Sequence, residues 1–517
     1  MFRLLVILVI MHSLMCGHGL TDEKHTGIIG IGTSKQLFID RRFVESSRGI
    51  TFSIHPPVKA GPVDLPEQPT GYVCVLEYNG TCYMYYLTDG GYALAVSKDG
   101  ITWERPGHGI SLVFPACREG SVFLDPKDSG SYPFKAIFDI ESTERWDLPY
   151  LDKTKELNRT LYLFRSHDGI EWEIVPGIAV PFLCDSQNQC LYDSRIDKYV
   201  AYLRGFPEQE GLPHRFKRVV VRTEIDNLLD MPWPYQHDQE RTREPLGGYG
   251  YIWNEMEIVL AEDEKDPPGT DLYNPNIVQY PFAADAYLAF PALFRTYGYG
   301  PRESRAQSFG RDLRGEFEGD GLFEVQLAVS RDGRAFTRFH RPYLSPGLIE
   351  DRHGVRGETD CGLVIMGIGI IRRGDMLYQY YYGTRRTHIS REVALENGMT
   401  GEAVMRAVQR LDGFVSVDAG TEGGEIITPL VRFGGNRLEL NADCGGTGEL
   451  RVELLNVEGT AVPGYALEDA VSIDRNGTAQ EIWWSQGPDV GNLAGTPVRL
   501  RIVMRSAALY AFRFNRK

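Results

Sequence analysis

Ser97-Lys98-Asp99-Gly100-Ile101-Thr102-Trp103, Ser166-His167-Asp168-Gly169-Ile170-Glu171-Trp172 and Ser330-Arg331-Asp332-Gly333-Arg334-Ala335-Phe336 are three copies of one phrase, S-x-D-G-x-x-aromatic. In it the Ser and Asp side chains can hold turn amides, the glycine accepts positive φ, and the aromatic residue opens a new strand by packing sideways. Each copy therefore reads as a β-hairpin. Two weaker copies occupy the same slot, one over Arg222 to Trp233 and one at Arg410-Leu411-Asp412-Gly413-Phe414.

Two further strand-like runs precede each copy. They are Gly71 to Tyr78 with Cys82 to Leu87, Ser121 to Asp125 with Phe134 to Asp139, Gln189 to Tyr192 with Tyr199 to Arg204, Ile277 to Tyr280 with Ala286 to Phe294, and Leu363 to Ile371 with Met376 to Tyr382. Four strands per unit, repeated five times, predict a five-bladed β-propeller over 30–416, because a twisted four-stranded sheet buries its faces by packing on neighbours around an axis. Gln236 to Thr270 and Gly298 to Gly321, rich in Gly, Pro and charge, read as inserted loops that rim the binding face or tether to neighbouring blades. From about Asp418 the hairpin phrase is lost. Short strands such as Arg437 to Leu440, Glu449 to Leu455, Glu481 to Trp484 and Val498 to Arg505 predict a β-sandwich over 417–517, to brace the propeller or bind polymer. The expected fold class is all-β.

Composition agrees with this reading. The chain has 517 residues, more than one core usually serves, and its 56 Gly, 27 Tyr and 24 Phe favour turns and half-buried strands. Fifty-five Lys and Arg against 70 Asp and Glu leave a net charge of −15, which excludes a general phosphate-backbone binder. Arg3, the apolar run Leu4 to Met15 and Gly17-x-Gly19 read as a secretory signal over 1–19, too short to span a bilayer. The expectation is a secreted or periplasmic protein with no membrane span. Lipid attachment at Cys16 is the alternative, and the bulky Met15 argues against it. Seven further cysteines leave at least one thiol free, with Cys74–Cys82 and Cys184–Cys190 close enough in sequence to consider as bridges. No C-x-x-C pair occurs and His is scattered, so neither a structural metal nor a cofactor is expected.

In such a ring the D-G turn between third and fourth strands lies away from the axis, and its aspartates read as structural. The central funnel is lined by the starts of inner strands and the ends of second strands. Inner-strand starts carry Arg118-Glu119-Gly120, Asp185-Ser186-Gln187-Asn188, Tyr273-Asn274-Pro275-Asn276 and Gly357-Glu358-Thr359-Asp360. Second-strand ends carry Asp89, Asp139, Arg204, Arg295 and the run Tyr382 to His388. Carboxylates from separate blades suit glycosidic bond cleavage, in which one delivers a proton to the leaving oxygen while another attacks or activates water. The expected catalytic set is Glu119, Asp185 and one of Glu358 or Asp360. Arg118, Gln187, Arg204, Asn274, Arg295 and His388, with Asp40 from the early strand Gln36 to Val44, are expected to position sugar or modulate charge. Each has a structural alternative: an ion pair of Glu119 with Arg118, a turn at Asp185, a loop hydrogen bond for His388, and burial of Asp40 against Arg41 or Arg42. Trp103 and Trp172 read as packing, whereas Trp483 and Trp484 cannot both face the sandwich core.

The order of Leu37-Phe38-Ile39-Asp40, the S-x-D-G-x-x-W hairpins, Phe123-Leu124-Asp125-Pro126, Asp185 to Asn188, Tyr287 to Pro291, Gln326 to Gly333 and Arg410 to Val415 resembles exported bacterial, planctomycete-type proteins described as glycoside hydrolase family 32-like. In architecture it is similar to the five-bladed propeller superfamily of invertase-like and arabinofuranosidase-like enzymes. The resemblance implies a glycosidase on a propeller, with a C-terminal sandwich in the invertase-like group. It does not extend to fructose specificity. The invertase-like W-x-N-D-P-N-G is absent from the N-terminal region, Phe123 to Pro126 lacks the Arg of R-D-P, and the nearest late acid-rich segment is Gly357-Glu358-Thr359-Asp360-Cys361. The function expected is hydrolysis of a poly- or oligosaccharide. A non-catalytic carbohydrate-binding propeller is the alternative. A sialidase-like enzyme is the third, although its aspartate-box has one residue more and its propeller six blades.

Overall fold

The structure, a computed structural model, describes residues 27–517 apart from 108, 110, 141–159, 181–183, 206–217, 235–255, 297–319, 349–357, 389–393 and 395–400. The signal segment, Cys16 and most of the two inserted loops lie outside the described residues. The rest is all-β: among the described residues the strands form eight sheets, and no helix is long and apolar enough to cross a membrane.

Five antiparallel sheets follow one another along the chain. The first holds Val73–Tyr78, Thr81–Thr88, Gly91–Ser97 and Leu112–Pro115. The second holds Cys117–Leu124, Phe134–Ile140, Leu161–Ser166 and Glu173–Ile174, and the third Gln189–Asp193, Lys198–Gly205, Val219–Ile225 and Glu257–Leu260. Glu257–Leu260, read from sequence as part of a loop, is thus the outer strand of the third sheet. The fourth is built on Gly321–Ser330 and the fifth on Met376–Thr384. Each sheet touches the next, and the fifth returns to the first. There Val75 N donates to Ile368 O at 2.7 Å and Ile368 N to Val73 O at 3.0 Å.

The repeated phrase explains how the sheets interlock. In all three copies the Asp Oδ1 accepts two backbone N–H groups of the turn, and the Ser Oγ accepts the glycine N–H. The glycine carbonyl then receives a tyrosine hydroxyl from the preceding sheet: Tyr85 to Gly169 at 2.7 Å, Tyr202 to Gly333 at 2.8 Å, and Tyr380 to Gly100 across the closure. Gly333 has φ +69°, and a Cβ there would stand 2.6 Å from the Tyr202 hydroxyl, so both backbone and contact require glycine. Trp103 is buried against Tyr380, and Trp172 packs on Tyr85 and Phe114.

The chain ends depart from the expected boundaries. Gln36–Leu37, Ser46–Arg48 and Ile50–Ile54, assigned from sequence to the propeller, pair instead with strands drawn from residues 415–515 in two further sheets. Val58–Pro62 supplies the outer strand of the fifth sheet by pairing with Glu402–Arg410. The fifth D-G phrase leads into Val415–Ala419 of those further sheets. Its Asp412, fully buried, accepts from Lys35 at 2.7 Å, Tyr280 at 2.8 Å and Asn441 at 3.1 Å, clamping the two regions together. Trp484 is 2% exposed and its neighbour Trp483 47%, just past the end of the strand Asn476–Glu481.

The seven described cysteines are all buried thiols, so neither candidate bridge forms. Cys74 and Cys82 lie on adjacent strands but out of register, opposite Tyr85 and Glu77. Burial pushes the Cys74 thiol up to about 12.

Candidate active site

Arg204, at the end of Lys198–Gly205 and 1% exposed, organises the centre. Its Nε and Nη2 donate to Tyr273 O at 3.0 and 2.6 Å, its guanidinium lies 4.1 Å from the Tyr273 ring centroid, and Nη1 donates to Asp185 Oδ2 at 3.2 Å. Burial opposes the Arg204 cation, and Tyr273, Asp185, Tyr72 and Glu119 around it more than compensate, raising its proton affinity. Asp185 has φ +26°, in the left-handed region. Asn188 Oδ1 accepts the Arg204 N–H at 3.1 Å, and Ser186 Oγ donates to Tyr273 O at 3.1 Å. The D-S-Q-N segment is therefore a turn that also carries a charged group to the centre.

Glu119 reaches the same place by a bulge. The register of Cys117–Leu124 against Phe134–Ile140 slips between Cys117 and Gly120, which re-aims Arg118 and Glu119. Both backbone N–H groups donate to buried Asp139 Oδ1, at 3.2 and 2.7 Å. Gly120 is obligatory there, since an added Cβ would meet Ile137 O at 1.9 Å. The charges of Glu119 and Asp185 both bear on Tyr72, whose hydroxyl burial pushes well above its ordinary range.

A cleft of about 320 Å³ adjoins this cluster. Tyr72, Tyr273, Phe323, Tyr382, Arg386 and His388 are prominent in its walls. His388 Nε2 and the Tyr273 hydroxyl are 3.0 Å apart, and Phe294 and Phe323 pack on the imidazole at 4.8 and 5.4 Å. The Tyr382 hydroxyl donates to Glu402 Oε2 at 2.5 Å and also meets Arg386. Behind Tyr273, Arg218 Nη1 donates to Asp271 Oδ2 at 2.9 Å. Burial outweighs that cation and raises the Asp271 proton affinity.

Of the sequence-nominated residues, His388 lines the cleft, and Glu119, Asp185 and Arg204 cluster about its wall residues Tyr72 and Tyr273, with Arg118 exposed beside Glu119. Six do not serve as expected. Gln187 is fully buried and donates to Val73 O at 2.8 Å, and Asn274, 1% exposed, accepts the Ala292 N–H at 3.1 Å. Both are tied into the backbone of neighbouring strands and neither lines the cleft. Arg295 is exposed on the strand face opposite Phe294, the residue that packs on His388. Asp40 accepts two hydrogen bonds from Arg331, at 2.8 Å each, and caps the turn at Arg42; burial pushes its carboxyl up, but Arg331 and the Arg42 N–H hold it below the usual range. Asp360, also 1% exposed, is enclosed by Lys59 Nζ at 2.7 Å and the Tyr381 hydroxyl at 2.8 Å. Glu358, exposed, accepts the Leu348 N–H at 3.1 Å.

Sequence reasoning missed Tyr72, Phe323, Asp271 and Glu402. Only the closeness of Asp271 to Tyr273 in the chain pointed to one of them. Elsewhere, Asp263, Asp266 and His340 come within 4.8 Å of one another, and the Arg338 guanidinium binds into that trio.

No protein-family model matches the sequence, nor does any curated protein. Solved structures similar to the chain include a GH32 β-fructofuranosidase of Bombyx mori, at 10% identity over 90% of this chain and 95% of that one, with a TM-score of 0.38. They also include a family 43 arabinoxylan arabinofuranohydrolase from Bacillus subtilis in complex with cellotetraose, at 11% identity, 88% and 97% coverage and a TM-score of 0.37. A thermostable family-43 glycoside hydrolase aligns at 12% identity over 69% of this chain and 96% of its own, with a TM-score of 0.39. These neighbours are glycoside hydrolases, and at such identities and scores the likeness assigns the present chain to none of their families.

Proposed function

We propose that the cycle of five sheets is a five-bladed β-propeller, that the further sheets form a β-sandwich beside it, and that the protein is an exported glycoside hydrolase cleaving a poly- or oligosaccharide. The observation that carries the reading is the cleft. Half-buried Tyr273 offers an apolar face to the C–H surface of a sugar ring, while His388 and Arg386 offer polar groups to hydroxyls. The carboxylates Glu119 and Asp185 bear on Tyr72 in its wall. We assign delivery of a proton to the leaving oxygen to Glu119, with Asp185 paired to Arg204 beside it. Export rests on the charged, apolar and small-residue sequence of the first nineteen positions.

The test is release of reducing ends from a panel of plant, algal and microbial polysaccharides, with Glu119→Gln and Asp185→Asn beside the wild type. Loss of turnover in both, with unchanged circular dichroism, supports the assignment. Undiminished turnover in both removes it. Binding without cleavage by the wild type would favour the carbohydrate-binding alternative. The sialidase-like alternative requires a sixth blade, and the five consecutive sheets among the described residues support the five-bladed reading instead.

A further inference from the structure

We propose that the seam between the fifth sheet and the sheet holding Arg437–Asp443 is a second carbohydrate site, which takes one uronate unit of a polysaccharide. It shares no residue with the cleft, and it rests on the glycosidase reading only in that the polymer is a carbohydrate. A pocket of about 130 Å³ opens there, close to the ~150 Å³ that holds a six-membered ring. One wall is the turn that follows Ile371–Arg373, with Arg372 and Asp375, and the other is the sheet itself, with Asn441, Thr478 and Arg513. The pairing of Arg437–Asp443 slips beside Asn441 on both flanks, against Asn476–Glu481 and against Ala507–Asn515. On the first flank Thr478 and Ala479 together stand opposite Asn441 alone, the kind of bulge that re-aims side chains next to a site. Asn441 is braced in turn: its Oδ1 accepts from Arg410 Nε at 2.8 Å, and its Nδ2 donates to Leu411 O at 2.7 Å.

The charges select the ligand. Lys35 in the wall is paired with Asp412 at 2.7 Å, and Glu439 with Lys517 at 3.0 Å. Arg372 and Arg513 are each tethered by Nε, which donates to Gly374 O at 2.8 Å and to Thr33 O at 3.0 Å, and the Arg372 guanidinium also lies 5.4 Å from the Phe282 ring centroid. Among the described residues the Nη groups of both have no hydrogen-bond or ion-pair partner. Two tethered guanidiniums are thus matched by one carboxylate, Asp375, and the pocket is positive in a chain of net charge −15. The paired Nη hydrogens of a guanidinium fit the two oxygens of a carboxylate, while Asp375 and Thr478 offer an acceptor and a hydroxyl to ring hydroxyls. A uronate satisfies both sets, whereas a neutral sugar answers only the second and a simple anion only the first.

The experiment titrates the full-length protein with the methyl glycosides of glucuronate and galacturonate, beside those of glucose and galactose and beside acetate, followed by calorimetry and saturation-transfer NMR. At least one uronate is expected to bind at least tenfold more tightly than its neutral counterpart and to weaken as salt is added. Arg372→Gln and Arg513→Gln are each expected to lower that affinity at least tenfold with unchanged thermal midpoints, whereas His388→Ala in the cleft is expected to leave it as it is. Absence of uronate binding, equal affinity for the neutral sugars or for acetate, binding within threefold of wild type in both Arg variants, or loss of binding in His388→Ala overturns the seam site. If Arg513→Gln fails to fold, Arg372→Gln, which alters an exposed side chain, decides alone. Release of reducing ends without uronate binding keeps the glycosidase reading and removes this one, and uronate binding at the seam without cleavage does the reverse.

Discussion

Tyr381 and Tyr382 are neighbours on one strand, each donates its hydroxyl hydrogen to a carboxylate, and the surroundings of the two pairs are opposite. Tyr381 meets Asp360, which Lys59 also holds, amid the apolar cluster of Tyr343, Met405 and Phe414. Tyr382 meets Glu402 beside Arg386 at the edge of the cleft. Successive residues of a strand face opposite ways, so a single strand builds core on one side and the candidate site on the other. A carboxylate whose partners enclose it completely, as Asp360 is, braces the fold.

The sharpest way to break that comparison is Glu119→Gln. Loss of the proposed general acid is expected to lower kcat/KM by about 10²- to 10⁴-fold while thermal unfolding stays in place. Asp360→Leu should do the converse, leaving the Lys59 cation without its buried partner and lowering stability by about 3 to 5 kcal/mol in denaturant melts. Equal loss of activity and stability in both variants would dissolve the distinction between brace and site. Gly333→Ala, which drives a methyl group toward the Tyr202 hydroxyl, should cost about 1 to 3 kcal/mol. Loss below the resolution of a melt would show that the tyrosine latch yields freely.

Asp40 supplies the pH-dependent contrast. Its carboxyl is held below the ordinary range in the folded chain, so its pairing with Arg331 stabilises above the unfolded pKa of about 3.9 and is lost as pH falls through the lower folded value. Asp40→Asn should therefore lower stability near pH 7 by about 2 kcal/mol and narrow its gap from wild type in acid. A gap that stays constant from pH 7 to pH 3 would contradict the linkage. The smallest effect is expected at Glu358→Gln, within about 0.5 kcal/mol and with unchanged turnover, because its side chain is exposed and away from the cleft.

Much of the fold could be read in the chain because its information is local. The S-x-D-G phrases form the same turn each time with side chains at most three residues from the amides they bind. The ends could not be read so. Val58–Pro62 looks like any short strand, and only its pairing with Glu402–Arg410, over three hundred residues away, makes it the outer strand of the fifth sheet. The site was legible in part for the same reason. Asp185 and Arg204 follow from counting strand starts and ends, but Gln187 lies two residues beyond Asp185 and is entirely buried. Arg295 lost its place to Phe294 by one step of alternation.

By itself, the sequence determined the repeated hairpins, the β character and the supply of carboxylates at strand ends, since turn chemistry and alternation act over a few residues. Only the tertiary structure decided which acids gather near the cleft and which are enclosed. That depends on which face of each strand meets which neighbour, and on whether a Lys or Tyr from elsewhere encloses the charge.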